Sequence, residues 1–190
     1  MSSVNRIYRL KPVVTFPCLV QPSQTTFIAG LRPAVSQRRS LNSRICPLYN
    51  HGMNRTVRSR RKVYGQLLSH ARRHPHRECC GILAGQDGLI TRAFPARNVA
   101  ADPVRNYEIA AKEMVCLMAE LRKRLESLGI YHSHPHWLDT NEPSPKDIAL
   151  AYHSKAIYFI VTPRPYSTTP IRAFSIRGGR AMELEIAVLP

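Results

Sequence analysis

From Val63 to His74 the apolar residues Val63, Tyr64, Leu67, Leu68 and Ala71 recur at close to helical spacing, and His74-Pro75 ends the run. Cys79 to Ala84 is a short, almost unbroken apolar stretch, which predicts a buried strand. Gly85-Gln86-Asp87-Gly88 turns the chain, and Leu89 to Phe94 returns as the hairpin partner. After a loop through Pro95, Asn98, Asp102 and Pro103, the residues Met114, Leu117, Met118, Leu121, Leu125 and Leu128 share one helical face, with charged residues on the rest. This predicts a helix from Ala110 to a stop at Gly129. Ile130 to His134 reads as a strand running into a loop. Ser144-Pro145-Lys146-Asp147 opens a short helix, with a capping residue, a proline at the first helical position and an acid at the third, expected to run to about Ser154. Ala156 to Val161 predicts a central strand covered on both faces. A loop at Pro163, Pro165 and Pro170 precedes two alternating stretches, Arg172 to Arg177 and Met182 to Val188. The pattern predicts a mixed sheet with helices packed on it, in one domain without internal repeats.

Residues 1–52 show no such period. They are rich in Pro, contain Arg and Ser and carry no acid, a composition like that of an organelle transit peptide. The alternative, preferred because Met53 stands just before the first convincing helix, is that the functional chain starts at Met53. Either way the expectation is a leader over 1–52 and a folded domain over 53–190. The net charge of +16 divides unevenly: the first acidic residue is Glu78, and from there 13 basic residues face 12 acidic ones. A nearly neutral domain argues against a nucleic-acid surface spread over the fold. Arg55, Arg58, Arg60, Arg61 and Lys62 are read as a solvated basic arm. Cys18, Cys46, Cys79, Cys80 and Cys116 include no C-x-x-C pair and leave one unmatched, so they suggest neither a disulfide framework nor a zinc knuckle; a reducing, cytoplasmic setting follows. No apolar run approaches a membrane span, and no membrane partner is expected.

Residues two apart on a strand face the same way, so His132 and His134 can present both rings to one metal from a rigid element. Strand-end histidines are commonly just hydrogen-bonded, but Asp147 in the first turn of the next helix can swing back as a third ligand. Alone it would read as a capping acid. Three protein ligands leave the fourth position of zinc for water, which separates a catalytic site from a structural one. Glu78, at the edge of an apolar strand, is the candidate base, its pKa expected to rise with partial burial. Its plain alternative is an exposed acid before a strand. The Ser144 hydroxyl can donate to an oxyanion only if the helix cap does not use it fully.

Glu78 in Glu78-Cys79-Cys80-Gly81, then His132-Ser133-His134-Pro135, then Ser144-x-x-Asp147 resembles the JAMM metalloproteases, the zinc-binding MPN-plus domains. The likeness is strongest to their small stand-alone prokaryotic-type members and covers roughly Val63 to Val188. The resemblance implies an α/β fold, a single MPN-type domain whose mixed, curved sheet is flanked by helices in a cytidine-deaminase-like architecture. It also implies one Zn2+ per chain on His132, His134 and Asp147, Glu78 activating water, and Ser144 stabilising the oxyanion. The implied reaction is hydrolysis of a peptide or isopeptide bond after the C-terminal Gly-Gly of a ubiquitin-like or sulfur-carrier protein. Asn98 matches a recurrent position to which no role is attached. In one respect the chain departs from the pattern: twelve residues separate His134 from Asp147, where the family usually has ten. A loop over His136 to Asn141 absorbs the difference, since closure entropy changes slowly with length, and it brings His136 and Asp139 to the entrance of the site. Two other functions remain open: a non-catalytic MPN interaction module, and a nucleic-acid-associated relative using the basic cluster. The H-x-E and P-C-x-x-C elements of a zinc nucleoside deaminase are absent.

Overall fold

The computed structural model describes residues 55–121, 125–153 and 155–190. The expected leader, residues 1–52, lies outside them. Seven strands and three helices follow in the order β1 (Thr56–Arg60), α1 (Arg61–Arg73), β2 (Cys80–Gln86), β3 (Leu89–Ala96), α2 (Ala111–Leu121), β4 (Glu126–Ser133), α3 (Pro145–Ala149), β5 (Ile157–Val161), β6 (Ile171–Arg177) and β7 (Arg180–Leu189). The sheet is mixed, in the order β1-β3-β2-β4-β5-β6-β7, with β4 and β5 parallel at its middle. The predicted hairpin turns at Asp87 and Gly88, whose φ values of 50° and 70° are those of a two-residue turn of the primed type.

Three expectations need correction. The first concerns the basic cluster, part of which is a strand: β1 runs parallel to β7 and also meets the start of β3. Val57 and Ser59 are buried while Arg58 and Arg60 point outward and donate to the carbonyls of Asp87 (2.6 Å) and Pro190 (2.7 Å). The alternation was present beneath the charge. Second, α2 ends at Leu121, and Glu126 to Gly129 already belong to β4. Gly129 is a packing residue of the strand rather than a helix stop, because a Cβ there would lie 2.7 Å from the Ile157 carbonyl oxygen. The third correction is to α3, which stops at Ala149; Leu150 turns the chain back, and His153 donates its N–H to the Tyr158 hydroxyl (3.3 Å), bringing the chain to the start of β5. Ser154, the expected end, lies outside the described residues. Cys79 and Cys80 are free buried thiols.

Period-two alternation assigns the two faces of the sheet. On one side Leu83, Tyr131, Phe159 and Ala173 pack with Val63, Leu67 and Ala71 of α1. On the other, Ile82 and Ala84 pack with Leu121 and Met118 of α2, while Ile130, Tyr158, Ile160 and Phe174 pack with Ile148 of α3 and with Tyr107. His132 has the parity of Ile130 and so belongs to this second face. β2 and β4 pair antiparallel with Cys80 opposite His132. Carrying that register two residues further aligns Glu78 with His134, on the same face.

Candidate metal centre

The site is built where β4 ends. His132 is the last but one residue of the strand, and His134 continues the pairing beyond it, its N–H donating to the Val161 carbonyl of β5 at 2.9 Å. Ser133, between them, points to the opposite face. It ties the neighbouring strand in: its N–H donates to the Cys79 carbonyl (2.8 Å) and its hydroxyl accepts from the Cys79 N–H (2.9 Å). The residue beside Glu78 is therefore fixed to the residue between the two histidines.

Asp147 arrives from the other direction, on the first turn of α3. Ser144 caps that helix through a reciprocal box: its hydroxyl accepts from the Asp147 N–H (3.1 Å) and its N–H donates to Asp147 Oδ2 (2.8 Å). The carboxylate is thus oriented by its own backbone before any side chain meets it. Its two oxygens face the rings, Oδ1 at 3.4 Å from His132 Nε2 and Oδ2 at 3.6 Å from His134 Nε2, and the two Nε2 atoms lie 3.3 Å apart. These three residues form the candidate metal-binding group among the described residues, with ligand atoms within 4.8 Å of one another.

Donor chemistry agrees with a cation there. The Nδ1 atom of His134 is 3.0 Å from the Thr140 carbonyl, which can only accept, so Nδ1 carries the hydrogen and Nε2 keeps its lone pair for the centre. Burial lowers the pKa of His132 and keeps that ring neutral. Burial is the largest single influence on His134 and opposes its charge, but the hydrogen bonds to Asp147 and to the Thr140 carbonyl, with the negative charges of Asp147 and Glu78, together outweigh it and the pKa is raised. For Asp147 burial acts upward, yet hydrogen bonds with His132, His134 and Ser144 prevail and hold the carboxyl well below the usual carboxylate range. An ionised carboxylate and two imidazoles converging by Nε2 form an N2O set suited to zinc.

Glu78 is 6% exposed and stands at the mouth of β2. Burial pushes its carboxyl up to about 8, with His134 and Lys146 acting downward and Asp147 upward. Ser144 is where the expected place holds but the hydroxyl is engaged: it donates to Asp147 Oδ2 at 2.7 Å. His136 and Asp139 are not drawn into the centre. His136 turns away and donates from both its N–H and Nδ1 to the Pro75 carbonyl (2.9 Å each), while Asp139 pairs with Arg164 at the surface.

Sequence reasoning missed three contributors. Tyr107 lies flat on His132, ring centroids 4.4 Å apart and planes 17° from parallel. Thr140 supplies the carbonyl behind His134. Asn98, flagged without a role, acts as a clamp: its Nδ2 donates to the carbonyls of Glu78 (2.9 Å) and Asn106 (2.8 Å), and its Oδ1 accepts from the N–H groups of Ala100 (3.0 Å) and Glu108 (3.1 Å). An asparagine opening a loop was the available signal; of its partners only Ala100 is local in sequence. Beside Ser144 and Asp147 a cavity of about 250 Å3 opens, walled by Tyr107, Ile130 and Tyr158 and rimmed by Lys146.

Residues 60–177 match the family model of prokaryotic homologs of the JAB domain. The chain is similar to a desampylase of Haloferax volcanii, 34% identical over 129 residues that cover 64% of this chain and 88% of that protein. It is also similar to a CysO-cysteine peptidase of Mycobacterium tuberculosis, 29% identical over 133 residues, covering 68% and 89%. Among solved structures, a Desulfitobacterium hafniense protein superposes with a TM-score of 0.61 at 27% identity, covering 70% of this chain and 92% of that one.

Proposed function

The chain belongs to the prokaryotic homologs of the JAB domain, and on that premise we propose that it is a zinc-dependent hydrolase cleaving a peptide or isopeptide bond after the C-terminal Gly-Gly of a ubiquitin-like or sulfur-carrier protein. One observation carries the proposal: two Nε2 atoms and an ionised carboxylate converge within 4.8 Å on the face of the sheet that also carries Glu78. The substrate class extends to this chain what the names desampylase and CysO-cysteine peptidase say of the relatives. The working unit in this reading is residues 53–190.

His132, His134 and Asp147 would hold the ion. Bound zinc would supply Lewis-acid polarisation of the scissile carbonyl and acidify water. Glu78 takes the proton from the attacking water and returns it to the leaving amine. Its raised pKa suits both directions of transfer, and a nearby cation favours the carboxylate and draws the value back toward neutrality. Ser144 serves as oxyanion donor only when its hydroxyl hydrogen turns from Asp147 Oδ2, while its oxygen can go on accepting from the Asp147 N–H as the helix cap.

The test is elemental zinc analysis of the full chain beside Asp147→Ala, followed by turnover of a carrier protein extended beyond its Gly-Gly. About one zinc per chain, lost in the variant, is expected, and Glu78→Gln should retain zinc while turnover falls by roughly 10² to 10⁴. A zinc-free unaltered protein would overturn the reading and leave a non-catalytic interaction module in its place.

A further inference from the structure

The two histidines of the centre are supported differently. His134 is held from behind by a hydrogen bond, Nδ1–H to the Thr140 carbonyl at 3.0 Å. His132 is 1% exposed, and among the described residues its buried Nδ1 has no hydrogen-bond partner. Metal-ligating histidines ordinarily take their orientation from an acceptor at the second ring nitrogen. Here no such acceptor defines the ring plane, and the flat contact is Tyr107 at 4.4 Å and 17°. Tyr107 is in turn placed by the residues on either side of it, since Asn98 grips the Asn106 carbonyl and the Glu108 N–H, and Lys146, beside Asp147, donates to Asn106 Oδ1.

We propose that Tyr107 is a positioning residue for the metal: its ring face, stacked on His132 and held by Asn98, does for His132 what the Thr140 carbonyl does for His134. The inference rests on the metal reading above. A ring free to rotate about χ2 would present Nε2 to the centre for only a fraction of the time, and affinity would fall by that fraction. The relevant property of Tyr107 is therefore its flat face rather than its hydroxyl, and the readout is metal affinity rather than stability.

The experiment measures zinc affinity by chelator competition on the full chain, with the melting temperature of the metal-free protein recorded alongside. Tyr107→Leu keeps most of the volume and removes the flat face; zinc should bind about 10- to 100-fold more weakly. Tyr107→Phe keeps the face and should bind within about twofold of the unaltered chain, a rescue that loss of packing alone does not predict. Tyr152→Ala, at a residue 78% exposed on the rim of the same cavity, should change nothing. If the leucine variant fails to fold, Tyr107→Met replaces it. Leucine or methionine protein binding zinc as tightly as the unaltered chain would overturn the proposal while leaving the metal reading intact. A phenylalanine variant as weak as leucine would overturn it too, by making the hydroxyl the active element. If the unaltered chain binds no zinc, the metal reading fails and takes this inference with it.

Discussion

Two long connections wall the centre, and they are fastened in opposite ways. The inner one, residues 97–110, is gathered around a single side chain: Asn98 uses both donors and its acceptor oxygen on four backbone groups, one of them the Glu78 carbonyl. The outer one, residues 135–144, is staked at intervals to four separate places. His136 reaches Pro75, Asp139 reaches Arg164, Asn141 donates to the Thr169 carbonyl (2.8 Å), and Glu142 reaches Arg172 (2.9 Å). The inner contacts are neutral and mostly half-buried; two of the outer four are ion pairs whose carboxylates are 91% and 61% exposed. The connection that holds a ring against His132 is tied by neutral hydrogen bonds gathered on one side chain. The outer one touches the centre through the Thr140 carbonyl, and the rest of it is held by scattered contacts, the exposed ion pairs among them worth little apiece.

This contrast is sharpest where burial is deepest. Glu78 keeps its proton in the folded chain to about pH 8, whereas the unfolded chain releases it near 4.5. The unfolded state therefore binds fewer protons between those values, and the metal-free protein loses stability as pH rises from about 4.5 through about 8. Glu78→Gln should remove that loss, so chemical denaturation at pH 9 should show a gain on the order of 4 kcal/mol, vanishing at pH 4. A pH-independent difference would show that Glu78 is better solvated than its surroundings indicate.

Next in size is Asn98→Ala, which strips four hydrogen bonds from the inner wall and should cost about 3 kcal/mol, read from the denaturant midpoint, with little dependence on salt. Asn141→Ala, the one buried contact of the outer wall, should cost about 1 kcal/mol by the same measure. Smallest is Asp139→Ala, expected within about 0.5 kcal/mol, any effect fading by 1 M salt. If Asp139→Ala proved as costly as Asn98→Ala, the two walls would not differ in kind.

Much of this was legible in the sequence because it depends on periods. The 3.6-residue period located α1, short apolar runs gave β2 and β5, turn residues gave the hairpin, and alternation gave β6 and β7. The candidate ligands were legible for a related reason, since H-x-H on a strand and S-x-x-D on a capped helix are local patterns. Where local pattern and long-range contact disagreed, the sequence misled: Leu125 and Leu128 sit at helical spacing, yet the chain around them extends because β4 must pass between β2 and β5. β1 was hidden by charge, its inward Val57 and Ser59 outnumbered by arginines. Tyr107 and Thr140 carry no signal, because a ring lying on a ring 25 residues later, or a backbone carbonyl behind an imidazole, is a fact of tertiary structure alone. The extra length of the 135–144 loop was legible, but not its outcome: His136 and Asp139 bind away from the centre.

The reciprocal cap between Ser144 and Asp147 makes the third candidate ligand a self-contained cassette. Because the four residues Ser144 to Asp147 orient the carboxylate among themselves, the stretch that delivers them does not have to aim it; the one point at which that stretch sets the geometry of the centre is the Thr140 carbonyl behind His134. Extra residues between Pro135 and Thr140 therefore change the surface that approaches the centre without re-aiming Asp147, in the way a modular fitting accepts a longer lead.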